Sequence, residues 1–248
     1  MQEGMTDLEI KLHAGRYEFG RRVGSSVRMI ETALASGRRF YVSWSGGKDS
    51  TAMLHLIRSV SPSIPVMHIR SGYEMPDGAE YMKKIVEDWG LNFTEIDAPC
   101  DYMDLCREFG LPHTRSWETQ QEIVRQIKKQ PGRRWALDHA YDGMFWGLRA
   151  EESKARCAIC TRHRSGIIDS SGIERIAPIG DWSARDVWAY ILSEGIPPNP
   201  IYLHEGCGQT RMTIRNAGWL STDGAERGRL EWLRRFYPEQ YRKVREML

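Results

Sequence analysis

Between residues 39 and 97 the chain alternates three short apolar runs with two helical patterns. The apolar runs are RFYVSW, IPVMHI and LNFTEID, and each has the length of one buried strand. Apolar residues at helical spacing follow the first run. A second helical segment, PDGAEYMKKIVEDWG, follows the second run, with proline near its start and glycine at its end. Because strand–helix–strand units of this length form right-handed crossovers, the sequence predicts an α/β fold, with a parallel sheet flanked by helices.

The segment SGGKDS joins the first predicted strand to the first helix. Ligands of parallel sheets bind beyond the carboxyl ends of the strands, which is where this loop lies. Gly46 and Gly47 allow backbone angles closed to other residues and leave the backbone amides uncovered. The first helical turn offers free N–H groups, and Lys48 adds a full positive charge. The loop therefore predicts a phosphate or pyrophosphate site, although its spacing is not that of a G-x-x-x-x-G-K-[ST] loop. The alternative is a tight connection that binds no ligand.

The remaining patterns are mostly helical. Residues 5–37 are predicted to be helical, with the serines of SSVRMIETALASG at a helix start and the glycine at its end. Residues 100–134 are charged, lack a strand pattern and predict a helical insertion or a lid. Further strands are predicted in YDGMFWGLR and IERIAPI, and DWSARDVWAYILSEG predicts a helix that Ser183 caps, with Asp186 three residues on.

These patterns divide the chain into three parts. We expect a helical segment at residues 1–38 and a nucleotide-binding domain at residues 39–200, which includes the insertion. A further helical segment is expected at residues 201–248.

Composition indicates where the protein acts and which partners it could have. No apolar run approaches the roughly 20 residues that span a bilayer, and the stretch MQEGMTDLEIKLH has no apolar signal region, so we expect a cytoplasmic protein without a membrane partner. The five cysteines include a CxxC, which argues against a disulfide scaffold. From Gln209 to Leu248 there are nine Arg or Lys against five Asp or Glu. This basic segment predicts either contact with nucleic acid or a solvated helical face.

Four segments together resemble a known family. SGGKDS after a strand is similar to the PP-loop of the ATP pyrophosphatase superfamily, the adenine nucleotide α-hydrolases. SGYEMPDGAEYM, GLRAEESKAR and PIGDWSARDVWAYI resemble, in the same order, segments of the phosphoadenylylsulfate (PAPS) reductase-like family within that superfamily. The resemblance covers roughly residues 38 to 200 and implies a Rossmann-like parallel sheet with helical N- and C-terminal additions.

The resemblance also implies a site. It gives catalytic roles to Lys48, Asp49 and Arg149, with Arg149 on the side of the α-phosphate, where a guanidinium can contact two anionic oxygens in one plane. The alternative for Arg149 is an ion pair with Glu151 or Glu152. The nucleotide-binding residues that the resemblance implies are Ser43, Ser45, Gly46, Gly47, Lys48, Asp49, Ser50, Gly72, Tyr73, Gly147, Arg149, Glu152, Ser153 and Arg156.

Two features depart from the family pattern. RSG stands where the family has aspartate–threonine–glycine, just before Tyr73, which leaves recognition of the base or ribose open. The family's sulfonucleotide reductases attack with a cysteine in a C-terminal Glu-Cys-Gly segment, whereas this chain has no cysteine after Cys207.

The remaining cysteines predict a metal site or none. Cys157 and Cys160 have the spacing at which one loop presents two thiolates to a metal, and Cys207 could supply a third. Three thiolates would suit a [4Fe–4S] cluster with one open iron, as the resemblance to sulfur-transferring relatives implies. A zinc site completed by His163 or His204, or reduced thiols without metal, are the alternatives. Arg156, Arg162 and Arg164 are expected to lower the pKa of the thiols.

Three functions follow from these features. The first is an enzyme that binds ATP with Mg²⁺ and cleaves it at the α-phosphate to activate an acceptor, with release of pyrophosphate. The resemblance to sulfurtransferases of the superfamily implies that a sulfur donor could then displace AMP. The second is a PAPS or adenylylsulfate reductase, with Cys207 or a cysteine of the CxxC as the attacking thiol, that uses a thioredoxin-type reductant and releases sulfite. The third is a non-catalytic nucleotide-binding subunit of a complex. Because relatives commonly dimerise, we also expect a homodimer.

Overall fold

The fold is built on one six-stranded sheet, seen in a computed structural model that describes residues 6–72, 74–112, 114–162, 166–216 and 228–247. The strands are β1 (Phe40–Ser43), β2 (Val66–Arg70), β3 (Phe93–Asp97), β4 (Gly143–Trp146), β5 (Ile167–Ile168) and β6 (Glu174–Ile176). Their order is β3-β2-β1-β4-β6-β5. All neighbours pair in parallel except β5 and β6, which are antiparallel. The predicted α/β class with a parallel sheet is confirmed.

The strand order has a consequence for the site. The chain builds outward from β1 through β2 to β3, and then returns to place β4 on the other side of β1. The connections that leave β1 and β4 therefore diverge, which creates the crevice where open parallel sheets bind ligands. Ser43 lies level with Trp146 in the β1–β4 register, so the two connections begin side by side.

Helices cover the sheet and extend beyond it at both ends of the chain. Short 3₁₀ turns lie at Ala150–Glu152 and Pro200–Leu203. The α-helices are α1 (Asp7–Ala14), α2 (Tyr17–Leu34), α3 (Lys48–Val60), α4 (Pro76–Trp89), α5 (Tyr102–Phe109), α6 (Trp117–Val124), α7 (Gln130–Asp138), α8 (Lys154–Arg162), α9 (Ala184–Ser193), α10 (Arg229–Phe236) and α11 (Pro238–Arg245). Within the described residues, no helix has the length and apolar character that crossing a bilayer requires.

The N-terminal helices differ from the prediction in one respect. The predicted helical region is two helices, and the predicted serine cap is wrong because Ser26 lies inside α2. Its buried hydroxyl donates to the Pro178 carbonyl at 2.6 Å and accepts from Trp182 Nε1 at 3.0 Å. A long-range contact, which the local sequence does not encode, explains this serine.

The insertion is helical, as predicted, but it continues to Asp138 and contains a π-helical turn. Between α6 and α7, residues Arg125–Lys129 form that turn, directly before the proline in the first turn of α7. Trp135 and Ala136 of α7 pack on Tyr41 and Met67, which places the insertion against one face of the sheet. The main core lies on the other side of these strands, around Val42, Val66 and Phe145.

A buried carboxylate ties the N-terminal helices to α9. Ser183 caps α9 with a capping box to Asp186, as the sequence predicts. Asp186 is fully buried, and it also accepts from His13 at 2.7 Å and from Arg22 at 2.9 and 3.0 Å. Burial alone would raise the pKa of Asp186, but hydrogen bonds from His13 and Ser183 and the charge of Arg22 hold it below its ordinary value.

We expect Asp186→Asn to destabilise the protein by about 3 kcal/mol at pH 7, because it leaves buried donors with an uncharged, partly mismatched partner. A depressed pKa gives stability that is complete above the ordinary aspartate value of about 3.9 and is lost as the pH falls through the folded-state value. The difference between the two proteins should therefore shrink below about pH 4, as urea unfolding at pH 7 and pH 3 can show. Asp104→Asn, which removes a carboxylate whose side chain is 68% exposed, should cost less than about 0.5 kcal/mol.

Candidate functional site

The glycine loop lies where the sequence places it, between β1 and α3. Gly46 has a φ of +69°, in the left-handed region that favours glycine, and Gly47 precedes the first residue of α3, Lys48. A Cβ on Gly46 would also lie 2.7 Å from Met82. Both the left-handed φ and the close approach of Met82 therefore favour glycine at position 46, where the chain turns into the helix.

Hydroxyl groups close the loop on itself. Ser50 Oγ lies 3.0 Å from Ser45 Oγ, accepts from the Ser45 N–H at 3.3 Å and donates to the Gly47 carbonyl at 3.0 Å. Ser43 is the last residue of β1 and leads into the loop. These contacts fix the backbone at the start of α3, which is where helix N–H groups attract anions.

Two cations meet at one carboxylate beside this loop. Asp49 lies 3.1 Å from Lys48 Nζ and 2.6 Å from Arg149 Nε. The side chains of Lys48 and Arg149 are only 6% and 4% exposed, so both charges are held largely out of water. Burial alone would raise the pKa of Asp49, but Lys48 and then Arg149 hold it below its ordinary value. Asp49 is thus ionised and accompanies two buried positive charges.

Arg149 has further partners. Its Nη1 lies 2.7 Å from Glu151 and donates to the Trp182 carbonyl at 3.4 Å. Burial alone would lower its pKa, but the carboxylates of Asp49 and Glu151 raise it. The ion pair with Glu151 that the sequence left as an alternative is present, and it coexists with a position beside the loop.

Gly147 allows this approach. A Cβ on Gly147 would lie 2.9 Å from Cα and 3.0 Å from N of Ser50, both backbone atoms at the start of α3. A side chain at residue 147 would therefore push the connection after β4 away from the loop. This contact explains how Arg149, about 100 residues later in the chain, reaches Asp49.

The other site residues predicted after β4 lie mainly outside the cluster of Lys48, Asp49 and Arg149. Glu152 accepts from the Arg149 N–H at 3.2 Å and forms an ion pair with Arg156. Ser153 is exposed, and its Oγ accepts from the Arg156 N–H at the start of α8. These three residues shape the segment behind Arg149 and, among the described residues, form no hydrogen bond or ion pair with the loop at residues 45–50.

The connection after β2 is also close-packed. Gly72 has a φ of +69°, and a Cβ there would lie 2.0 Å from Asp101, so the start of α5 covers it. Tyr73 lies outside the described residues. The predicted role of these two residues in nucleotide binding stays a prediction.

Three buried residues that the sequence did not single out contact the loop from residues 199–216. Asn199 Nδ2 donates to the Gly46 carbonyl at 3.0 Å, and Asn216 Nδ2 donates to the Ser45 carbonyl at 2.8 Å. The Tyr202 hydroxyl accepts from the Lys48 N–H at 2.9 Å. In the sequence, the proline-rich segment IPPNP near Asn199 predicts a turn. It does not predict a contact with a loop 153 residues earlier.

The cysteines do not assemble into the predicted metal site. Cys157 is exposed and Cys160 half-buried on helix α8, not on a loop, and Cys207 lies at a turn with a φ of +51°. Within the described ranges, no three His, Cys, Asp or Glu side chains form a group that could hold a metal ion. The described residues therefore supply neither the three thiolates of an iron–sulfur cluster nor a zinc site completed by His204. His163 and Arg164 lie outside the described residues.

Arg156 lowers the pKa of the Cys160 thiol, as expected, but the net shift is upward. Burial raises the pKa of its thiol, Cys157 and Glu152 raise it further, and Arg156 offsets only part of this. The magnesium ion that accompanies ATP would likewise find no cluster of carboxylates among the described residues. Such an ion would be held chiefly by the phosphate oxygens of the nucleotide.

The basic C-terminal residues are partly used within the chain. Arg229 lies over the ring of Trp232 at 4.1 Å and Arg235 over that of Phe236 at 5.0 Å. The predicted contact of this segment with nucleic acid stays a prediction, as do the domain boundaries and the homodimer.

Comparison with known proteins places this geometry in a family. Sulfate adenylyltransferase subunit 2 of Pseudomonas putida is 28% identical to this chain, over 71% of this chain and 64% of that protein. The chain thus spans less than two thirds of that relative's length.

Among solved structures, PAPS reductase from Candida auris in a phosphate complex has a TM-score of 0.56 at 15% identity, over 86% of this chain and all of that one. A tRNA thiolase from Methanococcus maripaludis, solved with its [4Fe–4S] cluster, has a TM-score of 0.54 at 14% identity, over 98% and 84% of the two chains. These likenesses show the fold. The family model of the phosphoadenosine phosphosulfate reductase domain matches residues 39–237, and the chain therefore belongs to that family.

Proposed function

We propose that this protein transfers the adenylyl group of ATP to an acceptor. The acceptor attacks the α-phosphorus, a new P–O bond forms, and the bond to the bridging oxygen breaks as pyrophosphate leaves with the electron pair. The observation that carries this proposal is the meeting of Lys48 and Arg149 at Asp49, beside the glycine loop at the start of α3.

The charge balance of the site supports a polyphosphate ligand. Two buried cations share Asp49, and Arg149 has a second carboxylate partner in Glu151, whose side chain is 53% exposed. A phosphate chain offers these cations several anionic oxygens at once, and charge-assisted bonds to phosphate are strong. Asp49 then acts as the internal anion that neutralises Lys48 and Arg149 until the nucleotide binds.

The same groups suit the transition state of adenylyl transfer. Negative charge grows on the leaving pyrophosphate and on the oxygens of the α-phosphorus as the bond breaks. Lys48 and the loop amides would stabilise charge on the leaving group, and Arg149 would hold the α-phosphate in place. Fixed positive groups in a site of low water content contribute most of the rate enhancement in such reactions.

The curated relatives suggest an acceptor to test first. A sulfate adenylyltransferase has sulfate as its acceptor, and the name of that relative as a subunit suggests that this chain also works with a partner protein. We propose an inorganic oxyanion of this kind as the acceptor class, with a second subunit as partner.

The test is exchange of labelled pyrophosphate into ATP by the purified protein in the presence of sulfate. We expect sulfate-dependent exchange, and an about 100-fold slower rate in Arg149→Met, which keeps the bulk of the side chain and removes its charge. Arg107→Met, at a side chain 58% exposed on α5, should leave the rate unchanged. Absence of ATP binding by the wild-type protein would contradict the proposal. ATP binding without exchange would show that the chain alone does not catalyse adenylyl transfer.

The description of the matching family model favours one second candidate, a sulfonucleotide reductase. That reaction needs a thiol to attack the sulfur, and Cys207 is the half-buried thiol nearest the C-terminus. Release of sulfite from PAPS or adenylylsulfate with a thioredoxin-type reductant, lost in Cys207→Ser, would support this candidate over adenylyl transfer.

A further inference from the structure

Residues 199–216 hold the backbone of the glycine loop, and the ring of Tyr202 also lies 5.5 Å from Lys48 Nζ. We call Asn199, Tyr202 and Asn216 the loop clamp. All three side chains are deeply buried, at 2%, 3% and 3% exposure respectively. The two asparagines also contact each other, since Asn199 Nδ2 lies 3.2 Å from Asn216 Oδ1. Burying two amide side chains is costly unless their hydrogen bonds are made, and here they are made to the loop backbone.

The clamp fixes which way the loop's peptide groups point. In a trans peptide, the C=O and the N–H of one unit point in opposite directions. The structure has no cis peptide in its described part, so the Ser45 carbonyl directed at Asn216 sends the Gly46 N–H the other way. The Gly46 carbonyl directed at Asn199 does the same for the Gly47 N–H.

The two amides directed away from the clamp are those left for a ligand. Within the described part of the chain, the N–H groups of Gly46 and Gly47 have no protein acceptor. The next amide, that of Lys48, is already bonded to Tyr202. The clamp thus leaves two adjacent glycine amides unpaired, and adjacent unpaired amides form an anion-binding concavity.

The clamp also links the loop to the neighbouring connection. The backbone carbonyl of Asn216 accepts from the Met75 N–H at 3.4 Å, just before α4 begins. A Cβ on Gly78, in the first turn of α4, would lie 2.9 Å from Asn216 Oδ1. One asparagine therefore sets the loop after β1 relative to the helix that follows β2.

We propose that Asn199 and Asn216 are positioning residues that aim the Gly46 and Gly47 amides at the phosphate chain of the bound nucleotide. This inference rests on the proposed function and deepens it, since it assigns the site's specificity for a phosphate chain to two side chains far away in the sequence. Neither asparagine touches the ligand. Their effect passes through the two carbonyl groups that they hold.

The test is binding of inorganic pyrophosphate to the full chain, measured by calorimetry and by the amide resonances of Gly46 and Gly47. In the wild type, both amide protons should shift downfield on saturation. Asn216→Ala and Asn199→Ala remove the clamp's donors without adding a charge, and each should weaken pyrophosphate binding about tenfold. Asn216→Ala should reduce the shift of the Gly46 amide proton, and Asn199→Ala that of the Gly47 amide proton, because each asparagine holds the carbonyl of the same peptide unit. Asn92→Ala is the matched control, because Asn92 Nδ2 also donates to a backbone carbonyl, that of Ser63 at 3.4 Å, at an exposed place.

The outcomes separate this inference from the function on which it rests. If the wild type binds pyrophosphate and both clamp variants bind it equally tightly with unchanged glycine shifts, the clamp is overturned and the proposed function stands. If the wild type binds neither pyrophosphate nor ATP, both fail. Thermal melting checks that each variant is folded. Should one variant not fold, the other carries the test. A merely structural role would lower the melting temperature of the variant without changing the glycine resonances of the folded protein.

Discussion

Replacement of Lys48 by methionine is expected to reduce kcat/KM for ATP about 100-fold or more. Methionine keeps most of the side-chain volume and removes the ammonium group, so the loss reports the charge and not the packing. Removing one fixed donor to a developing negative charge typically costs this much. Steady-state kinetics with pyrophosphate release as the readout measure it, and ATP affinity should fall in parallel.

The matched control for this change is Lys84→Met, at an exposed lysine on α4. It should leave both kcat and KM unchanged. Asp49 keeps Arg149 as a partner when Lys48 is lost, so the Lys48 variant should remain folded. Unchanged ATP affinity in Lys48→Met would mean that the ligand does not contact this lysine, and the site assignment would then be wrong.

Gly147→Ala is expected to disable the site by a steric route. The added methyl group would lie 2.9 and 3.0 Å from two backbone atoms of Ser50, so either the start of α3 or the connection after β4 must move. Overpacking of this kind typically costs about 1–3 kcal/mol of stability. Because the movement separates Arg149 from the loop, ATP affinity should fall at least tenfold, by the same titration that is used for the wild type.

Gly20→Ala provides the control for this glycine. Gly20 lies in α2, and a Cβ there would meet nothing within 4 Å. Alanine is the better helix former, so this change should stabilise the protein by up to about 1 kcal/mol and leave ATP binding unchanged. If Gly147→Ala behaved like Gly20→Ala, the close approach of the two connections would have no functional role.

The sheet and its loop could be predicted from sequence because their signals are local. β1, β2 and β3 are short apolar runs, and Gly46, Gly47 and Lys48 stand between a strand and a helix, where an anion site forms from backbone geometry alone. Strand β5, which pairs antiparallel with β6, was not predicted, because its two residues are too few to show a periodic pattern. The predicted serine cap of α2 is wrong because Ser26 lies inside the helix and its hydroxyl donates to the carbonyl of Pro178, 152 positions later in the chain.

The same distinction holds within the site. Lys48 and Asp49 are recognisable from their place after the glycines, and Arg149 from its resemblance to a family segment. The loop clamp has no such signal, since Asn199 and Asn216 reach the loop across 153 and 171 residues from turns without periodicity. Contacts of this kind depend on the complete fold, and only the structure reveals them.

The glycine loop and Lys48 are proposed to bind the phosphate chain of an adenine nucleotide, and a crystal structure of the protein with a non-hydrolysable ATP analogue would show this contact. We expect phosphate oxygens within hydrogen-bond distance of the Gly46 and Gly47 amides and of Lys48 Nζ, with Arg149 nearest the α-phosphate. An analogue bound elsewhere, with Asp49 still paired to both cations and the loop amides without a ligand, would contradict it.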